Sequence, residues 1–109
     1  MGLKDKKCVP CEGGVPKLTS EQAEGLIAQL EDWFLEGEQI GKTFEFKDFK
    51  ETMKFVNKMA EVAEEEGHHP DFCVHYSEVA VTIWTHAIEG LSENDFILAA
   101  KLDEVYKGG

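Results

Sequence analysis

The segment VHYSEVAVTIWTH, residues 74–86, is the clearest indication of the fold because the character of its side chains alternates with a period of two. An extended chain points successive side chains to opposite faces of a sheet. One face receives Val79, Val81, Ile83 and Thr85, and the other receives Ala80, Thr82, Trp84 and His86. A strand with one apolar face is typical of an antiparallel sheet that buries one side only. The segment therefore predicts a sheet with its core on one face.

A helical pattern precedes this segment. Asp48 and Glu51 form a helix-start signal, and Gly67 supplies a helix stop because glycine readily adopts the left-handed conformation that ends helices. Between them, apolar side chains recur at spacings of three and four at Phe49, Met53, Val56, Ala60 and Ala63. Pro70 prevents a simple continuation. The pattern predicts a helix of about five turns.

A first helix and a hairpin are predicted nearer the N-terminus. Thr19 and Gln22 resemble a capping box. Helical spacing follows at Ala23, Leu26, Ile27, Leu30 and Trp33. The segment WFLEGEQIGKTFEF, residues 33–46, then carries two glycines and alternates at Phe44 and Phe46. This second pattern predicts two short strands joined by a turn.

A closing helix is predicted after residue 91. Leu91 and Phe96 can form a hydrophobic staple around a Ser92 cap, with Asp95 at the third helical position. The helical spacing continues at Ile97, Ala100 and Val105. The complete order, α-β-β-α-β-β-α, predicts a two-layer α+β fold in which three helices cover one face of a small antiparallel four-stranded sheet.

The length of 109 residues fits a single domain. We predict an irregular arm over residues 1–18, which contain two prolines and three glycines without periodicity, and one domain over residues 19–109. Cys8 and Cys11 form a CxxC motif in this arm. A structural zinc site needs four ligands and only Cys73 remains, so we expect these thiols to be incidental.

The net charge excludes one class of partner. Eleven basic and 22 acidic residues give a formal charge of -11, which repels a phosphate backbone and argues against direct nucleic-acid binding. No apolar run approaches the ~20 residues of a membrane-spanning helix, and the N-terminus lacks the apolar stretch of a signal peptide. We therefore expect no membrane association, a cytoplasmic location and no disulfide framework.

Three of the four histidines are candidate catalytic residues. His68 and His69 follow the helix stop, and His86 ends the alternating segment. Imidazole exchanges protons near neutral pH, so a histidine cluster suits general acid–base catalysis. Adjacent residues of an extended segment point to opposite sides, which predicts different roles for His68 and His69. Glu64 lies one helical turn before His68 and is placed to orient that imidazole.

Two other interpretations fit the same residues. Histidines at a helix C-terminus interact favourably with the helix dipole, so the pair can be a simple consequence of the helix stop. The three imidazoles with Asp71 can also bind zinc with an open position. The spacing does not favour zinc, because there is no His-x-His on a strand and no pair of histidines one turn apart on a helix.

The string EEEGHHPDF, residues 64–72, begins a longer pattern that closely resembles the signature of the pterin-4a-carbinolamine dehydratase family. In that signature an acid and three spacer residues precede His-His-Pro, an aromatic residue, a distant histidine and an aspartate. The matching positions here are Glu64, His68, His69, Pro70, Tyr76, His86 and Asp95. The resemblance extends from Leu18 over nearly the whole chain. Asp71 and Phe72 replace a frequent glutamate and a frequent tryptophan, but every signature histidine is present.

The resemblance implies dehydration of a 4a-hydroxytetrahydropterin to the quinonoid dihydropterin and water, a step that recycles the pterin left by aromatic amino-acid hydroxylases. It implies no metal and no organic cofactor. His69 and His86 are the implied acid–base pair, and His68 holds the 4a-hydroxyl group or shares the acid role. The implied substrate-binding residues are Glu64, Pro70, Thr85, Ala87, Ile88, Asp95 and Trp33.

The resemblance also assigns roles to some of these residues and suggests partners. Glu64 would orient the imidazoles, Asp95 would support His86, and Trp33 would help to close the pocket. A homodimer or homotetramer is expected. The alternative function is an interaction module that stabilises dimers of a transcription factor or a partner hydroxylase, a role that the acidic charge permits.

Overall fold

The helices and strands follow one another in the predicted order. The computed structural model describes Leu3 and residues 17–108 of the chain. The α-helices of this part are α1 (Ser20–Ile27), α2 (Phe49–Glu66) and α3 (Glu93–Gly108). The strands are β1 (Phe34–Glu36), β2 (Gln39–Glu45), β3 (Asp71–His75) and β4 (Glu78–Ile83). A short 3₁₀ helix, His86–Ile88, lies between β4 and α3.

The four strands form one antiparallel sheet in the order β1-β2-β4-β3, which confirms the predicted sheet. Central strands β2 and β4 pair with Ile40 opposite Ile83. The predicted alternation of β4 is confirmed, because Val79, Val81 and Ile83 are buried whereas Ala80 and Thr82 between them are half-buried. Strand β4 ends at Ile83, so the last residues of the alternating segment leave the sheet before His86.

The core lies between one face of the sheet and the helices. Phe44 of β2 is its centre, with the Phe55 ring of α2 at 4.7 Å and the Trp33 ring at 5.9 Å between centroids. The largest fully buried side chains of the helices are Met59, Phe96, Leu98 and Leu102. Each such side chain contributes about 1.5–3 kcal/mol by leaving water. The predicted α+β architecture is therefore confirmed.

Helix α1 is shorter than the sequence pattern predicted. Its capping box is confirmed, since Thr19 Oγ1 accepts from the Gln22 N–H at 3.2 Å and Gln22 Oε1 accepts from the Thr19 N–H at 2.9 Å. The helix ends at Ile27, and Trp33 lies beyond it. The Trp33 indole N–H donates to both carboxylate oxygens of Asp103 in α3, at 3.1 and 3.0 Å. Trp33 is therefore buried against α3 and not on a continuation of α1.

Helix α2 begins and ends where the sequence predicted. The Asp48 carboxylate accepts from the Glu51 N–H at 2.9 Å. Gly67 adopts the left-handed conformation with φ 68°, and its N–H donates to the Ala63 carbonyl. A residue with a Cβ is strained in this conformation, so glycine is the fitting residue at the point where the chain turns into β3.

Most of the predicted N-terminal arm, including Cys8 and Cys11, lies outside the described residues. Leu3 is buried, and the Leu18 N–H donates to the Leu91 carbonyl at 2.8 Å. Among the helices that the structure describes, none combines the length and the apolar character that crossing a membrane requires.

Candidate active site

An open cavity of ≈ 330 Å³ lies where the end of α2, the start of β3 and the segment after β4 meet. The left-handed turn at Gly67 and the fixed backbone of Pro70 direct the two adjacent histidines into this region. The cavity is lined by Gly67, His68, His69, Pro70, Asp71, Trp84, Thr85, His86 and Ala87. All three candidate histidines therefore reach one cavity, although they are separated by up to 18 positions in the sequence.

His68 is the buried member of this group. Its side chain is 7% exposed, and its ring Nε2 lies 2.6 Å from Oδ1 of the fully buried Asp95. A carboxylate can only accept a hydrogen bond, so Nε2 carries the hydrogen. Hydrogen bonds of this charge-assisted kind are stronger than neutral ones, which fixes the ring orientation.

Asp95 is itself held by a chain of hydrogen bonds. Its Oδ2 accepts from the Ser92 backbone N–H at 2.8 Å and from the Thr85 hydroxyl at 2.9 Å. The Thr85 and Ser92 hydroxyl oxygens lie 2.8 Å apart. Because Thr85 donates to Asp95, Ser92 donates to Thr85. The chain runs from Ser92 through Thr85 and Asp95 to His68, and it fixes the carboxylate from two sides.

His69 lies on the exposed side of the cavity. Its ring Nε2 is 2.5 Å from Oε2 of Glu64, one turn back in α2. The two side chains are 61% and 77% exposed, so water screens this ion pair and it adds little to stability. The adjacent histidines therefore differ in surroundings, in agreement with their predicted opposite directions.

His86 is held by a stacking contact rather than by a buried carboxylate. The imidazole stacks on the Trp84 indole with 4.0 Å between centroids and 29° between planes. The Trp84 N–H donates to Asp71 Oδ2 at 3.2 Å, and the same oxygen lies 3.8 Å from His86 Nε2. Indole and carboxylate thus support the imidazole from its face and its edge.

The carboxylates pair differently from the predicted arrangement. The sequence placed Asp95 behind His86 and Glu64 behind His68, whereas Asp95 contacts His68 and Glu64 contacts His69. The reason is the 3₁₀ helix after Thr85, which turns His86 outward and leaves Asp95 facing the end of α2.

The other predicted site residues divide into two groups. Pro70, Thr85 and Ala87 line the cavity. Ile88 and Trp33 are not among its lining residues, and Trp33 is buried in the core against Asp103. The structure therefore does not bring Trp33 to this cavity.

Trp84 and Ser92 were not predicted as parts of the site, and Asp71 was named only as a ligand in the zinc alternative. Trp84 and His86 share a face in the sequence alternation, and β3 pairs with β4 so that Asp71 lies opposite Thr82, two residues from Trp84. The alternation of this segment therefore indicated that Trp84 and His86 could contact each other. For Ser92 the sequence indicated only a helix cap.

The described residues contain no group of three or more His, Cys, Asp or Glu side chains arranged to hold a metal ion. Each imidazole instead has a carboxylate of its own, at 2.6, 2.5 and 3.8 Å. The arrangement holds three imidazoles, two of them exposed, around one cavity, and such a set can donate and accept protons on a bound molecule.

Comparisons with known proteins agree with this chemistry. The family model described as pterin 4 alpha carbinolamine dehydratase matches residues 16–105. A Nitrosomonas eutropha protein named as a pterin-4-alpha-carbinolamine dehydratase is 56% identical over 102 residues, which are 93% of this chain and 90% of that protein.

Two solved structures share the fold. A transcriptional coactivator/pterin dehydratase from Brucella melitensis has a TM-score of 0.81 and 31% identity, covering 84% of this chain and 99% of the other. A pterin dehydratase-like protein, a RuBisCO assembly factor in the alpha-carboxysome, has a TM-score of 0.57 and 25% identity, covering 68% and 86%. With a family model that spans most of its length and a relative above half identity, this chain belongs to the pterin-4-alpha-carbinolamine dehydratase family.

Proposed function

We propose that this protein is a hydro-lyase that dehydrates 4a-hydroxytetrahydrobiopterin, a pterin-4a-carbinolamine, to quinonoid dihydrobiopterin and water. Its place is then in the recycling of tetrahydrobiopterin. The observation that carries the proposal is the convergence of His68, His69 and His86 on one open cavity, each with a different carboxylate beside it.

The reaction needs one acid and one base. The bond between C4a and the hydroxyl oxygen breaks, and the acid gives that oxygen a proton so that it leaves as water. The ring nitrogen forms a double bond to C4a with its lone pair, and the base takes a proton from the ring. Two imidazoles in opposite protonation states perform both transfers, and no redox partner is consumed.

We assign the acid–base pair to His69 and His86. Both imidazoles are exposed at the cavity and are therefore accessible to a bound molecule. His68 is held rigidly by Asp95 and is suited to hold the 4a-hydroxyl group in position. Glu64 orients His69, whereas Trp84 and Asp71 orient His86. Pro70, Thr85 and Ala87 supply walls of the pterin pocket.

The test is an assay of His69→Ala and His86→Ala on enzymatically generated carbinolamine, followed by absorbance. We expect each variant to lose about 10²–10⁴-fold in kcat, the usual contribution of a positioned acid or base. His75→Ala is the matched control, because His75 is exposed on β3 and does not line the cavity. Turnover near that of the unmodified protein in both cavity variants would rule out the assignment.

A zinc site at the three histidines is a distinct alternative, and the metal content of the purified protein tests it. Elemental analysis of protein purified without chelators is expected to find less than about 0.1 mol zinc per mol chain, since zinc sites require converging ligands. Stoichiometric zinc that is lost in His86→Ala would instead support a metal centre at the histidines.

A second candidate function, partner binding, is favoured by the sheet edge and by the two solved relatives. Strand β3 is an edge strand of the sheet, and most of its residues are exposed. Exposed strand edges offer backbone groups for pairing with another chain. The names of the Brucella protein and the carboxysome protein describe coactivator and assembly roles for those proteins.

We propose a homodimer or homotetramer in which β3 pairs with its copy, and an alternative role in binding a transcription factor or an aromatic amino-acid hydroxylase. Light scattering after size exclusion should give a mass of two or four times 12.2 kDa. A strictly monomeric mass at 100 µM, a concentration on the order of those used for weak dimers, contradicts the proposal. The cytoplasmic location also stays a prediction, which fractionation of cells expressing the protein would check.

A further inference from the structure

A second concave site lies on the far side of α2 from the histidines. It is a groove of ≈ 300 Å³ between the first half of α2 and the end of α3, and the chain after β2 closes one end. Its lining residues are Phe46, Lys47, Glu51, Lys54, Phe55, Lys58, Val105 and Tyr106. We call it the lysine groove. It shares no lining residue with the histidine cavity, so the dehydration chemistry does not account for it.

The floor of the lysine groove is a rigid aromatic surface. The rings of Phe46, Phe55 and Tyr106 pack mutually, with centroid distances of 5.2, 5.3 and 6.0 Å. Two of the three contacts are close to perpendicular, which is a favoured aromatic geometry. The Tyr106 hydroxyl donates to the Glu45 carbonyl at 2.8 Å and fixes that ring. The floor therefore presents the exposed parts of the Phe46 and Tyr106 rings, which pack on the buried Phe55.

The rim of the lysine groove is positively charged. Lys47, Lys54 and Lys58 surround the floor, and Glu51 is the one acidic residue of the lining. Glu51 lies 3.7 Å from Lys54, an exposed contact that water screens. Lys47 and Lys58 form no ion pair with the described residues. This is a local excess of two positive charges in a chain whose net charge is -11.

The helix dipoles at the groove offset one another, because the start of α2 and the last turn of α3 both border it. Lys47 and Glu51 lie at the start of α2, whose 18 residues align their peptide dipoles with the positive end at this point. The Asp48 carboxylate caps the helix by accepting from the Glu51 N–H and offsets part of that charge. Three lysines then outweigh the two carboxylates nearby.

We propose that the lysine groove binds a small flat aromatic anion. Its volume is at the lower end of the range for small-molecule sites, which suits one or two fused rings. The rings of such a ligand would pack against Phe46 and Tyr106. A carboxylate, sulfonate or phosphate on its edge would meet the ammonium groups of Lys54 and Lys58, one helical turn apart on the same rim.

The probe is 8-anilinonaphthalene-1-sulfonate, a fluorescent anion whose naphthalene supplies two fused rings, titrated into the full chain. We expect saturable binding of one molecule per chain that weakens as salt is added. The comparison compound is N-phenyl-1-naphthylamine, which has the same rings without the sulfonate. We expect it to bind at least about tenfold more weakly.

The deciding variant is the double substitution Lys54→Gln/Lys58→Gln. We expect about a tenfold increase in Kd for the anionic probe, because two rim charges are lost. The matched control is Lys50→Gln/Lys107→Gln, which removes two exposed lysines of the same helices outside the groove lining. The control should stay within about twofold.

Three results would overturn the proposal. The first is an equal loss of affinity for the anionic probe in the two double variants. The second is equal affinity of the unmodified chain for the anionic probe and the uncharged compound. The third is the absence of saturable binding to the unmodified chain. Changes in amide chemical shifts on addition of the probe locate its binding site independently. Changes confined to the histidine cavity would also count against the lysine groove. Dehydratase activity of Lys54→Gln/Lys58→Gln is expected within about twofold of the unmodified protein, so failure here leaves the dehydration proposal intact.

Discussion

The two adjacent histidines occupy unlike halves of one cavity. His68 is 6% exposed and ends a hydrogen-bond chain that starts at Ser92, whereas His69 is exposed and contacts the exposed Glu64 of α2. A buried network loses its stability when one member is removed, because the remaining polar groups stay buried without partners. An exposed pair is replaced by water at little cost.

One dipeptide can therefore combine two kinds of surroundings. The His68 half is held by buried hydrogen bonds, and the His69 half is open to solvent, as its proposed role in proton transfer requires. Each substitution below is aimed at one half, so that the effects on the free energy of unfolding and on turnover can be separated.

The largest effect is expected for Asp95→Asn. The amide keeps the shape of the side chain but removes the charge that faces His68, and its NH2 group meets a donor in either orientation, His68 on one side or Thr85 and Ser92 on the other. We expect the free energy of unfolding to fall by about 2–4 kcal/mol and kcat/KM to fall about 10–100-fold. Urea unfolding and steady-state kinetics measure the two quantities.

Asp103→Asn is the matched control for this substitution. Asp103 is also a buried aspartate, but its partners are Trp33 and Lys42, away from the cavity lining. We expect a comparable loss of stability with activity within about threefold at a temperature where the chain is folded. If Asp103→Asn lowers kcat/KM as much as Asp95→Asn does, the special role of the His68 chain is refuted.

An intermediate effect is expected for Trp84→Leu. The substitution removes the face on which His86 stacks and the donor to Asp71. We expect kcat to fall about tenfold, because the imidazole loses its fixed orientation, while the free energy of unfolding changes by less than about 1 kcal/mol. Trp84→Phe keeps a stacking face and should recover most of kcat. Equal kcat values for the two variants would show that the stack has no positioning role.

The smallest effect is expected for Glu64→Gln. The contact with His69 is exposed, so the free energy of unfolding should change by no more than about 0.5 kcal/mol. We expect kcat to fall about two- to fivefold through looser orientation of His69. Glu65→Gln, the neighbouring exposed residue, is the control and should leave kcat unchanged. A stability loss as large as that of Asp95→Asn would erase the distinction between the two halves.

Local signals in the sequence predicted most of the fold. The caps at Thr19 and Asp48, the stop at Gly67 and the alternation of β4 each depend on residues within a few positions, and all are confirmed. The end of α1 was not predicted, because the sequence pattern included Trp33 in the helix, whereas this side chain is buried through a contact with Asp103, 70 positions away.

The same distinction applies to the candidate site. That the histidines could meet followed from their positions at element ends, but the pairing of Asp95 with His68 spans 27 positions and depends on a 3₁₀ turn. Short apolar and polar runs do not specify such a turn. The stacking of Trp84 on His86, in contrast, could have been predicted from the alternation of residues 74–86.

The hydrogen bonds of Asp95 join the cavity to the first turn of α3. The backbone also closes the loop before α3, since the Thr85 N–H donates to the Gly90 carbonyl at 2.9 Å. Opening of this helix end therefore releases the loop after β4 and the carboxylate behind His68 in one event. Amide hydrogen exchange at the start of α3 and the loss of turnover on heating should therefore report the same local opening. Turnover then measures how often this end of the helix unfolds.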